Sequence, residues 1–547
     1  MKDKITPESV WKEYDRGKSY NSGIDLYNKV EKNEDFYIGD QWKGINAPDL
    51  EHPTLNFLKR VVSYFISQIV TDDVAVQFAP SVSSDEAELA CRVFKTEFDR
   101  VLETTKAKTK SRDMLRNSAV DGDGCFYFYF DADKGKYGDP EIEVVDNTKT
   151  LFGNPFVKDA QNQPYILVVQ RKPINAVKAE AEANGVSKDN IESITSDSAD
   201  YYNETDSESS DNLCTVIVRF WKEPAGDGKS TIHFMKCTEH AVIKEDTDTG
   251  YRLYPVAWMP WETVKSSYHG QSPLTGLIPN QIFVNKLWAM AMEYCKRMAF
   301  PKLIVDKTKI AKWDNAVGQT IDVVGDPNTA VASSFKPADM SQQVLALVDK
   351  TISYTRDFMG ASDAALGNIR PENTSAIIAV QKASAAPLEL QRMSFYQFWE
   401  DCANIILEMM RVDFGIRTVS VDTVDENGIE GRETVEFNFE APDYDGMALN
   451  VDVGASSYWS ELMQIQTADS LLMNGVLTDA VTYLETIPDH YIRNKQKIIE
   501  KLREQQALQA QMAQRVSAQN PREITADDGQ QMYQTKQGTV ENMMGGA

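Results

Sequence analysis

The chain of 547 residues is longer than one hydrophobic core usually supports, so several domains or an extended architecture are expected. Its hydrophobic content of 42% and aromatic content of 10% are typical of a folded protein and exclude a disordered class. The net charge of −25, from 82 acidic and 57 basic side chains, disfavours tight, sequence-reading binding of nucleic acid, because it repels phosphates. Acidity that serves solubility alone is an equally simple explanation.

The cysteines lie far apart and include no CxxC pair; they are Cys91, Cys125, Cys214, Cys237, Cys295 and Cys402. This spacing predicts neither a disulfide framework nor a zinc site and is typical of a reducing compartment. The first residues, MKDKITPESVWKEYD, lack the apolar core of a signal peptide, and no uncharged apolar run reaches the length of a membrane span. We therefore expect a soluble protein that is made in the cytoplasm.

The N-terminal part is predicted to be mainly helical. The aromatic residues Phe36, Tyr37 and Trp42 are expected to pack onto the first domain. Apolar residues at helical spacing predict a helix over Leu55–Val70, and a second helix is predicted from Asp85 to Val120.

The next region is predicted to be rich in strands. The stretch DGDGCFYFYFDADKGKYGDPEIEVVD alternates turn residues with aromatic runs, which predicts a β-meander. YILVVQRKP, NLCTVIVRFWKEP, STIHFMKC and YPVAWMPW are further predicted strands, and Asn175–Ala183 is predicted to be a short helix. The acidic, serine-rich segment Glu192–Asn212 is expected to be a surface loop.

Two predicted helices bracket a small β module in the middle of the chain. The first is expected to begin near Pro279, because proline is tolerated in a first turn, and to end before Pro301. The β module contains KLIVD and TIDVV as strands and GDPN as a turn. The second helix is expected to follow Asp339, a possible cap, and to end near Met359. An ordinary helical hairpin with an inserted β-hairpin explains the same pattern.

The remaining sequence predicts a glycine-punctuated loop and then more helix. A long helix is expected from about Thr374 to Phe414 with a kink at Pro387. TVSVDTV and ETVEFNFEAP predict a hairpin, helices are expected over 456–484 and 488–516, and the last thirty residues are expected to be disordered.

The chemical motifs favour structural interpretations. AGDGKST lacks the first glycine of a phosphate-binding loop and precedes a strand-like run, so we interpret it as a hairpin turn. DGDG lacks the later ligands of a calcium loop and predicts a tight turn. The five histidines are scattered, and no HExxH or GxSxG motif occurs. We therefore predict no catalytic, cofactor-binding or metal-binding residues, although carboxylates are numerous enough that a nuclease-type metal site stays open.

The order of these elements resembles the portal proteins of tailed bacteriophages, in particular the P22-like group. FYIGDQW, NPFVKDAQNQPYI, YPVAWMPW and GNIRPENTSAIIAVQKASAAPLELQ are each similar to a portal segment. SSYHGQSPLTGLIPNQIFVNKL resembles the entry to the first stem helix, which here carries Pro279, Gln281, Asn285 and Lys286, and Pro301 ends that helix. The acidic insert at 192–212 and the absence of a long heptad pattern after residue 516 depart from the resemblance.

The resemblance implies an α+β portal fold with a wing, a two-helix stem, a β-rich clip, a long kinked helix and a helical crown. The implied parts are an N-terminal wing (1–278), stem helix 1 (279–300), clip (301–338), stem helix 2 (339–359), tunnel loop (360–373), kinked helix and wing hairpin (374–455), crown (456–516) and a disordered tail (517–547).

The resemblance also implies a non-enzymatic, homododecameric ring at a capsid vertex of the virion, through which double-stranded DNA passes. The implied partners are scaffolding protein, major capsid protein, terminase and a head–tail adaptor, without a membrane. Twelve copies of −25 total about −300, and such walls would let DNA slide rather than bind. The channel candidates are Lys350, Arg356, Gly360, Asn368, Arg370 and Asn373. Pairing of the basic residues with Asp349 or Asp357 at subunit contacts is an equal alternative, and a metal-dependent DNA-processing enzyme or a minor capsid or adaptor protein are the other classes considered.

Overall fold

The chain divides into two units, Met1–Val453 and Gly454–Ala547. The computed structural model describes residues 5–48, 50–70, 74–80, 85–197, 212–224, 230–299, 302–310, 322–326, 328, 332–335, 342–358, 388–424, 430–440 and 447–453 of the first unit. In the second unit it describes residues 481, 483–484, 498–499 and 501–503. The predicted crown helices and the predicted disordered tail therefore lie almost wholly outside the described residues.

Helices and strands are mixed along the first unit, which confirms the α+β class. The helices are α1 (Pro7–Gly23), α2 (Leu26–Ile38), α3 (Phe57–Val70), α4 (Asp85–Thr104), α5 (Ala107–Asp121), α6 (Ile174–Ala183), α7 (Lys188–Glu192), α8 (Pro273–Ala299), α9 (Gln342–Phe358) and α10 (Glu389–Asp413). The strands are β1 (Val74–Pro80), β2 (Asp123–Asp131), β3 (Asp139–Val145), β4 (Thr150–Phe152), β5 (Tyr165–Pro173), β6 (Leu213–Pro224), β7 (Ser230–Cys237), β8 (Val242–Asp248), β9 (Val256–Pro260), β10 (Lys302–Val305), β11 (Ala332–Phe335), β12 (Ile416–Val424), β13 (Glu430–Asn438) and β14 (Met447–Val453).

The described strands form antiparallel sheets. The largest has the order β4-β5-β6-β7-β8, a second has the order β3-β2-β9, and β1-β14, β10-β11 and β12-β13 are two-stranded. The central strand β6 is buried continuously from Cys214 to Trp221. Such a run is expected for a strand that is covered on both faces. One face packs under α1, where Val10 and Tyr14 contact a cluster that includes Ile217.

The main core lies between helices α3, α4, α5 and α10 and strand β2. Aromatic rings fill much of it: Phe126 lies 5.1 Å from Phe398 between ring centroids, and Phe94 lies 5.2 Å from Phe439 in an edge-to-face arrangement. Phe36 is buried in this core and Tyr37 packs against it, as predicted. Trp42 stacks on His52 at 4.7 Å instead.

Several predicted elements are confirmed with small changes of bounds. The helices predicted near residues 55 and 175 are α3 and α6, and the hairpins predicted around AGDGKST and DENGIEGR connect β6 to β7 and β12 to β13. The predicted meander is confirmed only as the β2–β3 pair, because the other neighbour of β2 is the distant strand β9.

The single helix predicted from Asp85 to Val120 is wrong. The chain breaks it at Thr105 and Lys106, and Lys106 adopts a left-handed conformation with φ of 55° before α5 begins. The Val101 carbonyl accepts hydrogen bonds from Thr105 Oγ1 at 2.7 Å and from Thr105 N at 3.0 Å, so both donors of Thr105 have a partner at the end of α4. The two shorter helices pack on each other and on the core.

Candidate functional site

Helix α8 begins at a serine–proline pair. Ser272 Oγ accepts a hydrogen bond from Leu274 N at 3.1 Å and donates one to the Ala119 carbonyl at 2.7 Å. These contacts tie the first turn of α8 to the end of α5. Pro273 suits the first helical position, because an N–H at that position would have no partner within the helix.

The prediction that this helix begins near Pro279 is therefore wrong, since Pro279 lies inside α8. A proline inside a helix removes a backbone hydrogen bond and costs about 3 kcal/mol. Leu274 and Ile278, on the turns before Pro279, are buried in the main core, and each such burial contributes about 1.5–3 kcal/mol. Packing therefore outweighs the local penalty, while the Pro279 ring itself is exposed.

The turn before α8 is built around the buried carboxylate of Asp123. Asp123 Oδ2 accepts a hydrogen bond from His269 Nδ1 at 2.8 Å, and Oδ1 accepts one from Gly270 N at 2.6 Å. His269 Nε2 lies 3.1 Å from Asn21 Oδ1 at the end of α1. A Cβ at Gly270 would lie 2.7 Å from the Gly122 carbonyl, so the two backbones approach too closely for any larger residue.

The same contacts explain the DGDG stretch. Gly122 ends α5 with φ of 105°, a left-handed cap that glycine adopts without strain, and β2 begins at the next residue. The predicted tight turn is confirmed. A calcium loop would use the carboxylate of Asp123 as a ligand, but here this carboxylate binds His269 and Gly270 in the turn before α8.

A chain of buried amides anchors the middle of α8. Gln281 Nε2 donates hydrogen bonds to the Leu55 carbonyl at 2.7 Å and to Asn285 Oδ1 at 2.9 Å. Asn285 Nδ2 donates to Gln41 Oε1 at 2.6 Å, and Gln41 Nε2 donates to the Phe36 carbonyl at 2.9 Å. The network joins α8 to α2 and to the segment that leads into α3.

Helices α8 and α9 lie side by side. Asn280 Nδ2 donates a hydrogen bond to Thr355 Oγ1 at 3.1 Å, near the start of α8 and the end of α9. Val284 and Val348 are buried. At the other end, β10 follows α8 closely and pairs with β11, which precedes α9. The two helices are therefore antiparallel, and the strands close the tip of the pair.

The β module at this tip differs in part from its prediction. Within KLIVD, Lys302–Val305 forms β10 as expected, and β10 pairs with Ala332–Phe335, a strand that was not predicted. In the TIDVV segment, Val323 makes only an isolated bridge to Ile310, and Thr320 and Ile321 lie outside the described residues. Short polar-flanked runs of this kind are poorly resolved by alternation alone.

The structure separates the predicted site residues by environment. Gln281 and Asn285 are buried in the amide network, whereas Lys286 and Lys350 are exposed and Arg356 is half-buried. Pro301, Gly360, Asn368, Arg370, Asn373 and Pro387, together with the loop 360–373, lie outside the described residues. α10 is described from Glu389 onward, so the predicted kink stays a prediction.

Large apolar side chains are exposed on both α8 and α9. Phe283 and Met290 on α8 are 42% and 54% exposed, and Leu347 and Tyr354 on α9 are 47% and 58% exposed. Within each helix the two residues are seven positions apart and therefore share a face. Large apolar side chains that are exposed on one face of a helix are typical of a surface that another chain covers.

One ion pair involves the last part of α8, and a buried tyrosine lies in the turn before its start. Lys296 Nζ forms an ion pair with Glu51, and this contact lowers the pKa of the Glu51 carboxyl. Burial raises the pKa of the Tyr268 hydroxyl well above its usual range, and that hydroxyl donates to the Thr150 carbonyl at 3.4 Å. Tyr268 therefore acts as a neutral, packed residue.

A family model described as the phage P22-like portal protein matches residues 18–545 of the chain. The chain belongs to the phage P22-like portal protein family. No curated protein matches it. Portal proteins are structural components of the phage virion, and the assignment of α8 and α9 to a portal stem stays a prediction.

Two further observations concern the described part of this portal protein. None of its helices is both long and apolar enough to cross a membrane. Within the same residues, no three His, Cys, Asp or Glu side chains gather in a way that could hold a metal ion. The family match over nearly the whole chain, rather than these absences, is what argues against the enzyme and the adaptor alternatives.

Sequence reasoning missed the partners that hold α8. Gln281 and Asn285 were singled out, but Leu55, the partner of Gln281, and Gln41, the partner of Asn285, each lie more than two hundred residues away in the chain. The same separation hides Asp123 from His269. Polar amides on an otherwise apolar helix were the available signal, because a buried amide needs a partner.

Proposed function

We propose that this portal protein forms a closed, twelvefold ring at one capsid vertex, through which double-stranded DNA is packaged and later ejected. The antiparallel pair α8/α9 with its strand-closed tip is the observation that carries the proposal. Twelve such pairs would form the wall of a central channel, with the segment 301–338 as its outer clip.

The exposed apolar residues give the pair a reason to associate. Phe283, Met290, Leu347 and Tyr354 leave apolar surface in water, and burial of apolar surface contributes about 25 cal/mol per Å². In a ring, a surface of one copy contacts a different surface of the next copy. The ring closes when the rotation between neighbouring copies is an integral fraction of a full turn. The stem surfaces thus fit a head-to-tail contact.

The charge of the chain suits a channel through which DNA moves. Each copy carries a net charge of −25, so a wall built from such copies does not neutralise most of the DNA phosphates and does not bind them tightly. We assign occasional positive contacts to Lys350 and Arg356 on α9 and to Arg370, with Gly360, Asn368 and Asn373 on the proposed tunnel loop. Terminase, a head–tail adaptor, scaffolding protein and major capsid protein are the partners that we propose for the ring.

Ring formation is tested by substituting Leu347→Glu and measuring particle mass and negative-stain class averages of the purified protein. The wild type should give rings with a central hole, and L347E should remain largely monomeric, because a charge in an apolar contact costs several kcal/mol. Lys350→Gln, on an exposed position of the same helix, is the control and should still assemble. Persistent wild-type monomers, or rings of L347E, would contradict the proposal.

The tunnel-loop assignment has its own test. Deletion of residues 360–373 should permit ring assembly and impair DNA packaging or retention in infected cells. Unimpaired packaging by the deletion variant would dismiss the assignment while leaving the ring itself intact.

A further inference from the structure

The buried ring of His269 has an oxygen acceptor at each of its two nitrogens. Nδ1 lies 2.8 Å from Asp123 Oδ2, and Nε2 lies 3.1 Å from Asn21 Oδ1. The His269 and Asp123 side chains are 2% and 0% exposed, and Asn21 is buried as well. A neutral imidazole carries one N–H, so it can donate to only one of these oxygens. Both contacts are hydrogen bonds only when the ring carries two protons and therefore a positive charge.

Aromatic rings enclose the imidazole of His269. The ring centroids of Tyr268, Trp258 and Tyr20 lie 4.0, 5.6 and 6.4 Å from its centroid. At 2% exposure the imidazole has almost no contact with bulk solvent that could supply another donor. Without the second proton, Nε2 and Asn21 Oδ1 would face each other as two buried acceptors, which costs free energy. The charge of the ring therefore decides whether the end of α1 is bound to this turn.

Asp123 supplies the negative charge that a protonated ring needs. Besides the contact with His269, its carboxylate accepts hydrogen bonds from Gly270 N at 2.6 Å and from Asn147 Nδ2 at 3.3 Å. Several donors to one carboxylate favour its ionised form. A buried carboxylate is costly unless an opposite charge is paired with it, and among the described residues His269 is the basic side chain that contacts Asp123.

The other titratable groups near this turn do not balance the charge of Asp123. They come in opposite signs, as the ion pairs Arg116–Glu34 and Lys149–Asp146 and as the exposed residues Glu262 and Lys265 of the turn itself. Burial raises the pKa of the Asp121 carboxyl well above its usual range, which favours the neutral form of that group. The charge of Asp123 is therefore left for His269 to balance.

We propose that this turn is a proton-dependent latch, in which doubly protonated His269 binds Asn21 of α1 and Asp123 of β2, and loss of the Nε2 proton to solvent releases Asn21. Nδ1 keeps its proton, because its acceptor is a carboxylate. Histidine ordinarily changes charge between pH 5 and 8, so the contact with α1 is present at acid pH and is lost as the pH rises. The latch couples α1 to the start of α8. It lies within one chain and does not depend on the proposed ring.

Hydrogen–deuterium exchange of peptides from the end of α1, measured on the full-length protein at pH 5.5 and pH 8.5, tests the latch. Asn21→Leu removes the acceptor at similar side-chain volume. Relative to wild type at the same pH, its exchange should be about tenfold faster at pH 5.5 and less than about twofold faster at pH 8.5, because the lost hydrogen bond involves a charged group only at acid pH. The control is Asn33→Leu on α2, which removes a buried amide whose partners, the Val120 carbonyl and Thr275 Oγ1, do not titrate. Exchange of α2 peptides in N33L should be faster by the same factor at both pH values.

Asn21→Asp is a second variant that keeps an acceptor at Nε2 and tests the latch even when N21L does not fold. A carboxylate beside the ring favours its charged form, so the pH at which the end of α1 loses protection should rise by at least about one unit, after correction for the intrinsic exchange rate. An N21L effect that is equal at the two pH values would show that Asn21 binds a neutral ring. That result, or an unchanged pH midpoint in N21D, would overturn the latch.

Discussion

Replacement of Asn285 by alanine should loosen α8 from the body of the protein. Asn285 connects three elements, since its amide donates to Gln41 Oε1 at 2.6 Å and its carbonyl oxygen accepts from Gln281 Nε2 at 2.9 Å and from Leu55 N at 3.4 Å. Alanine removes all three contacts at a position that is almost fully buried.

The expected cost follows from what each partner retains. Gln281 Nε2 keeps its 2.7 Å hydrogen bond to the Leu55 carbonyl, so it is not left without a partner. Gln41 Oε1 loses the donor that the structure gives it, and an orphaned buried acceptor costs about 1–3 kcal/mol. The longer contact to Leu55 N adds little. We expect a total of about 2–3 kcal/mol for the opening of α8.

Hydrogen–deuterium exchange of α8 peptides is the suitable assay, because it reports the local opening of α8 separately from the rest of the chain. A loss of 2–3 kcal/mol corresponds to exchange that is roughly 30- to 150-fold faster. Lys286→Ala, at the adjacent exposed position, should change exchange by less than about twofold. Equal exchange in N285A and K286A would refute the anchoring role of the amide network.

Three further predictions follow from the same contacts. Gly270→Ala should lower the melting temperature by an amount that corresponds to about 1–3 kcal/mol, because its Cβ would lie 2.7 Å from the Gly122 carbonyl oxygen. Gly276→Ala is the control and should be neutral or stabilising, because no atom lies within 4 Å of its Cβ. An unchanged melting temperature in G270A would contradict the close approach of the two backbones. Burial raises the pKa of Asp401 to about 6, so its carboxylate form destabilises the fold as pH rises through that value. Asp401→Asn should therefore raise the melting temperature at pH 7.5, by an amount that corresponds to about 1 kcal/mol after solvent screening, and should hardly change it at pH 4. An equal effect at both pH values would contradict this prediction. Maleimide labelling of the native, unassembled chain should modify Cys295 at least about 100-fold faster than the five buried thiols, and a Cys295→Ser variant that still labels quickly would show that one of those thiols is accessible.

The order of elements was predictable because it depends on local patterns. Apolar spacing indicated α3, turn residues indicated the β6–β7 and β12–β13 hairpins, and the two helices around residue 300 followed from long uninterrupted runs. The side-by-side placement of α8 and α9 followed from the portal resemblance. These are features that neighbouring residues determine.

Non-local contacts decided the features that the sequence could not indicate. β1 pairs with β14, a strand more than three hundred residues later, so neither carries a hairpin signal. The start of α8 at Pro273 depends on Leu274 and Ile278 meeting a core formed by other segments. The break between α4 and α5 at Lys106 likewise contains no glycine or proline that would predict it. In each case tertiary packing overrides the local preference.

The two helices of the proposed stem are held in different ways, which bears on how a channel wall can move. α8 is fixed by Ser272 to α5 and by the Gln281–Asn285 amides to α2 and the segment before α3. α9 makes its most extensive helix contact with α8, where Thr355 accepts one interhelical hydrogen bond. Moving α8 would break several buried polar contacts, each of which costs about 1–3 kcal/mol, whereas shifting α9 along α8 exchanges apolar contacts of similar energy. We therefore expect conformational change in the channel wall to be carried by α9, with α8 as the fixed support.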